Sequence, residues 1–232
     1  MPKNRPTLQV KVPLPRVLYK YLPLKYAKEL LSKGAIRVST AAYYRNEEDA
    51  GAGRQDATEA TRTVKYVAPG PMEFTAASPP PYPVNEWINI TEATHWRLKE
   101  GVSLSMKYDN PNTLVYCMSA RFGQDLMKQF HASACVAIQK PTQFFQLVSE
   151  HFPLKYSWVA LRQCEYRQRT EDVTENSGLH PVFLKPPEYA CEKEWRAAWE
   201  PVSESQLAGP HVNIVCEALK RCCRLYCIAE LS

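Results

Sequence analysis

Three segments of this sequence carry side chains whose types and spacing could perform chemistry, and the most chemical of them lies near its end. Residues 189–199 read YACEKEWRAAW. If this segment is a strand, alternate side chains share a face, so Glu192, Glu194 and Arg196 lie together. Two carboxylates about 6 to 7 Å apart repel each other. The repulsion raises the pKa of one, which can then carry a proton while the other stabilises positive charge. The alternative is an ordinary surface ion pair between Arg196 and Glu194.

The second segment lies near the start of the chain and combines two phenols with an ammonium group. Residues 18–21 read LYKY. In a strand, Tyr19 and Tyr21 share one face and Lys20 takes the other, so one side can stack on a ring while the other offers a cation. The alternative is an amphipathic edge strand with a structural role.

The third segment covers residues 38–59 and is rich in hydroxyl groups and charges. Side chains at the outlet of a strand emerge at the rim of the core, where they can point at a ligand. The candidates here are Ser39, Thr40, Tyr43, Tyr44, Arg45, Arg54, Asp56 and Glu59. The alternative is a solvated loop whose charges pair with one another for little energy.

The composition excludes some classes of protein. Of the 232 residues, 45% are hydrophobic and 23% are charged, which is typical of a globular domain. The net charge of +5 is spread out without a long basic run. With 19 prolines and only 8 glycines, the sequence is not typical of proteins that hold a phosphate in a glycine-rich loop. We expect one domain over residues 1–232, with a proline-rich loop at residues 69–86.

All eight cysteines lie in the second half of the sequence, most of them in apolar runs. A thiol in such a run behaves as a small hydrophobic side chain in a reducing compartment, so we expect a cytoplasmic protein. The cysteines at positions 216, 222, 223 and 227 contain no C-x-x-C pair, so we expect no metal site. We also expect no signal peptide and no membrane association, because no apolar run of about 18 residues occurs.

Hydrophobic periodicity and turn residues predict an α+β domain with mixed, mostly antiparallel sheets and a few short helices. The predicted helices cover residues 24–33, 92–100, 122–131 and a segment that begins at Pro141. The predicted strands cover residues 35–40, 63–68, 113–119, 134–139, 156–167, 182–184, 191–199, 211–216 and 224–230. Gly34 is expected to cap the first helix.

Three blocks in this order, LYKY at residues 18–21, IRVST at residues 36–40 and EKEWR at residues 192–196, resemble a bacterial domain family of unassigned function. That family is remotely similar to the ADP-ribosyltransferases. The resemblance implies an ADP-ribosyltransferase-like fold. It also implies an enzyme that cleaves NAD and transfers ADP-ribose to a protein or nucleic-acid acceptor, as a toxin or defence effector, or that acts as an NAD glycohydrolase.

The same resemblance implies a role for each block. In such enzymes a residue of the first strand binds NAD, a Ser-Thr or Tyr element after the second strand holds the nicotinamide end, and a late Glu, often in an E-x-E pair, is catalytic. The implied catalytic residues are Glu194 and, in the accessory place, Glu192. The implied NAD-binding residues are Lys20, Tyr21, Ser39, Thr40, Tyr43, Tyr44 and Arg54.

Two alternatives from other functional classes remain open. A nucleic-acid-binding module would use Arg45, Arg54, Arg62 and Lys65 for phosphate contact and exposed tyrosines for stacking. A small regulatory interaction protein without catalysis would dock through the proline-rich loop.

Overall fold

One large sheet that divides into two branches organises the chain. The computed structural model describes residues 13–46, 56–80, 82, 84–88, 95–175, 178–203 and 209–229. The strands are β1 (Leu18–Leu22), β2 (Ala35–Thr40), β3 (Thr61–Val67), β4 (Met72–Phe74), β5 (Trp96–Leu98), β6 (Ser103–Asp109), β7 (Leu114–Ser119), β8 (Ala134–Ile138), β9 (Tyr156–Gln163), β10 (Glu165–Tyr166), β11 (Thr170–Asp172), β12 (Leu184–Lys185), β13 (Glu194–Pro201), β14 (His211–Val215) and β15 (Cys223–Ile228). The α-helices are α1 (Leu24–Lys33), α2 (Ala41–Arg45), α3 (Val84–Trp87), α4 (Gln124–Gln129) and α5 (Pro141–His151). Single 3-10 turns cover Val173–Glu175, Pro181–Phe183, Pro187–Glu192 and Glu217–Cys222.

The main sheet divides at β7. One edge of β7 pairs along its length with β13, which pairs in turn with β9. The opposite edge is shared, because β2 pairs with it at Leu114 and Val115 whereas β1 pairs with it at Ser119. One branch continues from β1 to β8 and β15, and the other from β2 to β14. The middle of β7 therefore lies beside the gap between the two branches.

The helix between β1 and β2 connects the first strands of the two branches. Ala27 and Leu30 of α1 are buried, and Gly34 ends the helix with a φ of 67°. The backbone of Gly34 also meets that of Cys216, whose N–H donates to the Gly34 carbonyl at 3.0 Å. A Cβ atom at position 34 would stand 1.9 Å from the Cys216 carbonyl oxygen. This position thus requires glycine for its left-handed φ and for space.

A hydrophobic core covers the face of the main sheet that packs against α1 and α5. Phe144 and Phe145 are fully buried, with their ring centroids 6.0 and 6.1 Å from that of Tyr116 on β7. Trp199 of β13 stacks on Phe152 with the ring centroids 4.3 Å apart. Large aromatic rings of β7 and β13 pack on this face of the sheet. The residues that alternate with them along each strand therefore project from the opposite face.

Three smaller sheets hold the remaining strands. β3 pairs with β6 and β11, β4 pairs with β5, and β10 pairs in parallel with β12. The last pair joins Tyr166 to Lys185. The residue between β9 and β10, Cys164, donates its N–H to the Glu194 carbonyl at 2.9 Å. Lys185 is thereby held next to the start of β13.

The structure confirms the α+β class, with one domain and mostly antiparallel sheets. The helices at 24–33 and from Pro141 are confirmed, as is the Gly34 cap. The strands predicted at 35–40, 63–68, 113–119, 134–139, 211–216 and 224–230 are present with ends shifted by two residues at most.

Other predicted elements are wrong in type or extent. The helix predicted over residues 92–100 gives way, in its described part, to β5, which pairs with β4. The proline-rich loop at residues 69–86 contains β4 and the start of α3, so it is not wholly irregular. The strand predicted over 156–167 is interrupted at Cys164, and the helix over 122–131 is shortened to α4. The segment 182–184 begins as a 3-10 turn because Pro181 starts that turn.

The cysteines and the helices bear on two further expectations. All eight cysteines are thiols, and Cys135, Cys164, Cys216 and Cys222 are buried, as expected of small hydrophobic side chains. No helix in the described part of the chain is long and apolar enough to cross a membrane.

We predict that Gly34→Ala destabilises the fold far more than Gly101→Ala. Both glycines have a positive φ, 67° and 74°, but a Cβ at Gly101 meets nothing within 4 Å. The control should therefore lose only the left-handed penalty of about 1–2 kcal/mol. Gly34→Ala adds the clash with Cys216, and chemical denaturation should show a larger loss. Equal losses would contradict the close approach of the two backbones.

Candidate active site

A cavity of about 390 Å³ opens at the division of the main sheet. Its walls come from β1, β2, β7 and β13, together with α2, β12 and the 3-10 turn Pro187–Glu192. The cavity exists because β1 and β2 pair with opposite ends of β7 and leave its middle uncovered on that edge. It therefore collects side chains from the early and the late parts of the chain.

A buried ammonium group bridges two carboxylates in the wall of this cavity. The Nζ atom of Lys185 lies 2.5 Å from Glu192 Oε2 and 2.5 Å from Glu194 Oε2. The ring centroid of Tyr189 lies 4.8 Å from the same Nζ atom. Lys185, Glu192 and Glu194 are 8%, 2% and 4% exposed, so bulk water hardly screens their attraction.

Arg196 of β13 extends this cluster to Glu59, which lies in the turn before β3. Its Nε donates to Glu194 Oε1 at 2.8 Å. Its Nη1 and Nη2 donate to the two carboxylate oxygens of Glu59 at 2.6 and 2.8 Å, and Nη1 also donates to the carbonyl of Val182. Bidentate pairs of this kind combine strength with fixed geometry. Arg196 thereby ties the turn before β3 to β13.

A second buried ion pair positions Glu59. Arg169 donates to both carboxylate oxygens of Asp56 at 2.7 and 2.6 Å. Asp56 also accepts from the Thr58 N–H at 3.1 Å, and its own N–H donates to the Tyr44 carbonyl at 2.9 Å. These bonds fix the turn that leads into β3 and direct Glu59 towards the cavity wall.

The shared environment drives the pKa values of the two bridged carboxyl groups apart. Burial raises the pKa of Glu192 to about 7 against the attraction of Lys185, and the charge of Glu194 adds to the rise. Burial would also raise the pKa of Glu194, but Arg196 and Lys185 outweigh it and hold that pKa well below its usual range. At neutral pH Glu194 is therefore a carboxylate, whereas Glu192 can exchange a proton.

The two glutamates reach Lys185 by a turn rather than by strand alternation. Glu192 ends the 3-10 turn, Lys193 is left-handed with a φ of 47°, and β13 begins only at Glu194. The strand predicted over residues 191–199 is therefore wrong at its start. Gln129 of α4 fixes the Glu192 carboxyl group by donating its Nε2–H to Oε1 at 2.8 Å.

The early blocks line the same cavity from the two branches of the sheet, β1 on one side and β2 on the other. The Nζ atom of Lys20 donates to the Cys117 carbonyl at 2.7 Å, which places its charge in the gap beside β7. Ser39 is almost fully buried at the end of β2. Tyr43 and Tyr44 follow on α2 with their ring centroids 5.4 Å apart in an edge-to-face arrangement.

Seven of the nine residues that the sequence predicts for the site line this cavity: Lys20, Tyr21, Ser39, Tyr43, Tyr44, Glu192 and Glu194. Thr40 serves instead as the N-cap of α2, where its hydroxyl accepts from the Tyr43 N–H at 3.3 Å. Arg54 lies outside the described residues. The Tyr21 hydroxyl is bonded to the backbone of Arg121 and Gly123, so its contribution to the cavity is the ring.

The described residues contradict one feature of each alternative interpretation of the three segments, and residues 47–55 of the third segment lie outside them. β1 is not an edge strand, because it pairs with both β7 and β8. The contact between Glu194 and Arg196 is buried rather than a surface pair. Asp56 and Glu59 are also buried, and they pair with arginines from later parts of the chain rather than with their own loop.

Three residues of the site were missed in the sequence. Lys185 bridges the glutamates, Gln129 holds Glu192, and the Tyr166 hydroxyl accepts from the Glu194 N–H at 2.5 Å. Lys185 carried one usable signal, since it follows three apolar residues and precedes two prolines. A lysine at the end of a buried strand must find a counter-charge.

Two of the four basic residues considered for nucleic-acid binding, Arg45 and Arg62, are engaged in ion pairs. Arg45 lies 2.7 Å from Asp109. Arg62 is only 5% exposed and lies 3.4 Å from Glu171. Lys65 is exposed on β3. Burial of Arg62 removes it from any phosphate-binding surface made by this set.

No family model, no curated protein and no solved structure matches this chain. Among the described residues, no group of three or more His, Cys, Asp or Glu side chains could hold a metal ion. The inference of function therefore starts from the geometry of the cavity.

We predict that Lys185→Met destabilises the protein at pH 8 by about 3–5 kcal/mol, because removing one partner leaves the other buried charges uncompensated. Adding Glu192→Gln to this variant removes one of the stranded carboxylates and should restore part of the loss. Urea denaturation of the two single variants and the double variant measures this coupling. A neutral effect of Lys185→Met would contradict the buried bridge.

Proposed function

We propose that this protein is an ADP-ribosyltransferase-like enzyme that cleaves NAD at the bond between nicotinamide and ribose. It then transfers ADP-ribose to a macromolecular acceptor. One observation carries the proposal: the three blocks that resemble ADP-ribosyltransferases line a single cavity, with Glu192 and Glu194 on its wall. The two early blocks lie more than 150 residues before the late block in the sequence. Packing of the core alone would not require their polar groups to surround an open cavity.

The charge state of Glu194 supports its role in the bond-breaking step. Loss of nicotinamide moves the bonding electron pair to the ring nitrogen and leaves a cation of oxocarbenium character on the ribose. A fixed carboxylate in a site of low dielectric stabilises such a cation without reorganisation. Glu194 is held ionised by Lys185 and Arg196, so it is charged before the substrate arrives.

Glu192 suits the step that follows. The acceptor attacks the ribose carbon and must lose a proton as its new bond forms. A general base works best when its pKa is near the working pH, and the pKa of Glu192 is raised to about 7. Gln129 occupies Oε1 and Lys185 occupies Oε2, and each carboxylate oxygen has two acceptor sites. Glu192 can therefore take the proton while its present contacts hold it in place.

Other residues of the cavity are suited to bind the nicotinamide ring and the diphosphate of NAD. The rings of Tyr43 and Tyr44 offer faces and edges against which a nicotinamide ring can stack. Lys20 places a positive charge between the branches, which suits the diphosphate of NAD. This arrangement assigns the carboxylates to the ribose and the cation to the phosphates.

We predict that Glu192→Gln lowers steady-state turnover of NAD, followed as nicotinamide release, by about 10²–10⁴-fold, the usual contribution of a positioned acid or base, because each turnover ends only when an acceptor has lost its proton and captured the ribose. The variant should keep its fold, because it leaves Glu59 and Glu194 balanced by Lys185 and Arg196. Glu194→Gln is less informative, since it removes one ion-pair contact from each of two buried cations, Lys185 and Arg196, and should destabilise the fold along with any loss of activity.

The matched control is Glu188→Gln, which alters an exposed glutamate in the same 3-10 turn. Nicotinamide is measured by chromatography, and folding by circular dichroism. Full release by a folded Glu192→Gln variant would contradict the assigned role, and no release by the wild type would overturn the proposal.

A further inference from the structure

A row of residues crosses the main sheet from the carboxylates to the opposite edge of one branch. Glu194 is paired with Ser119, Ser119 with Tyr19, Tyr19 with Ala137, and Ala137 with Arg224. Directly opposed residues in neighbouring strands project from the same face. Four strand spacings of about 4.8 Å place Arg224 roughly 19 Å from Glu194. The row is therefore a path along one face, from the cavity wall at Glu194, Ser119 and Tyr19 to the outer edge at Arg224.

Aromatic rings stand along this path. The ring centroid of Tyr226 lies 5.1 Å from that of Tyr19 and 4.7 Å from that of Phe122. Tyr226 is 45% exposed, and Tyr19 and Phe122 are half-buried. Exposed ring faces fixed by neighbouring rings form a stacking platform for planar groups, and stacking on them is tolerant of sequence. We call Tyr19, Phe122 and Tyr226 the aromatic platform.

Positive charge borders the platform on both sides. Arg224 is exposed at the outer end of the row. Towards the cavity lie Arg121, which precedes Phe122, and Lys193, which is exposed and whose carbonyl accepts from the Ala120 N–H at 2.9 Å. Asp125 on this side is paired with Arg121 at 2.6 Å. This charge pattern favours an anionic chain over a neutral or basic partner.

We propose that the aromatic platform and its flanking cations bind single-stranded nucleic acid as the acceptor. This inference rests on the proposed function, because it identifies the acceptor of the same site. Bases stack on Tyr226 and its neighbours, while Arg224 and Lys193 contact phosphates. The strand then extends towards the cavity, where a nucleophilic atom of one nucleotide attacks the ribose carbon, nicotinamide departs with the bonding electrons, and Glu192 takes the released proton.

Fluorescence anisotropy with a labelled single-stranded oligonucleotide of about 16 nucleotides tests the surface. The full-length wild type should bind it more tightly than the corresponding duplex, with an affinity that falls as salt rises. Tyr226→Ala should weaken binding by roughly 5- to 100-fold, the range for loss of one stacked base, and Tyr226→Phe should retain it. Arg224→Gln should also lower the salt slope by about 0.7.

The matched controls are Tyr82→Ala and Arg97→Gln, which alter residues that are 65% and 74% exposed elsewhere. The inference is overturned if the wild type does not bind the single strand, if it binds the duplex equally well, or if Tyr226→Ala behaves as Tyr82→Ala does. Nicotinamide release by the wild type without oligonucleotide separates the two proposals. Release without oligonucleotide binding removes only the acceptor surface, and binding without release supports the surface but removes the reaction.

Discussion

The attraction between the Lys185 ammonium group and the carboxylates of Glu192 and Glu194 is the interaction on which the rest of this structure depends. Lys185 lies 2.5 Å from an oxygen of each, and Arg196 continues the network to Glu59. Three carboxylates thus face two cations in a buried space. Burial, with the charge of Glu194 added, raises the pKa of Glu192 to about 7 against the attraction of Lys185, so this carboxyl group is close to its point of protonation.

A buried ionic network is an expensive way to stabilise a fold, because apolar side chains of similar volume usually serve as well or better. Its position at the division of the sheet gives a reason for it. β1 and β2 diverge from β7 and open a cavity, and β13 presents its charged end to that cavity. In the function that we propose, Glu192 exchanges the proton and Glu194 supplies the fixed negative charge that cleavage of a glycosidic bond through a cationic intermediate requires.

Local patterns predicted local structure well, and seven of the nine site residues predicted from residue type and resemblance line the cavity. The helix that ends at Gly34 follows from apolar spacing and one glycine. The bridge could not be predicted, since it needs both the pairing of β10 with β12, which holds Lys185 next to Glu194, and the 3-10 turn that returns Glu192 to Lys185. Strand periodicity misassigned Glu192, because the left-handed turn at Lys193 has no glycine or asparagine to mark it. Asp56 and Glu59 are buried because Arg169 and Arg196 pair with them. These arginines are distant in sequence, so the loop sequence alone could not show the burial.

The protonation of Glu192 is the most direct test of this account. Infrared titration of protein carrying ¹³C-labelled glutamate carboxyl groups should show one buried carboxyl that ionises near pH 7, absent in Glu192→Gln and present in Glu188→Gln. Because this pKa is raised from 4.5 to about 7 in the folded state, the wild type should lose stability relative to Glu192→Gln as pH rises through that interval. If every glutamate is already ionised at pH 5.5, the bridged pair does not divide its charge as described, and the assignment of Glu192 as the proton acceptor is wrong.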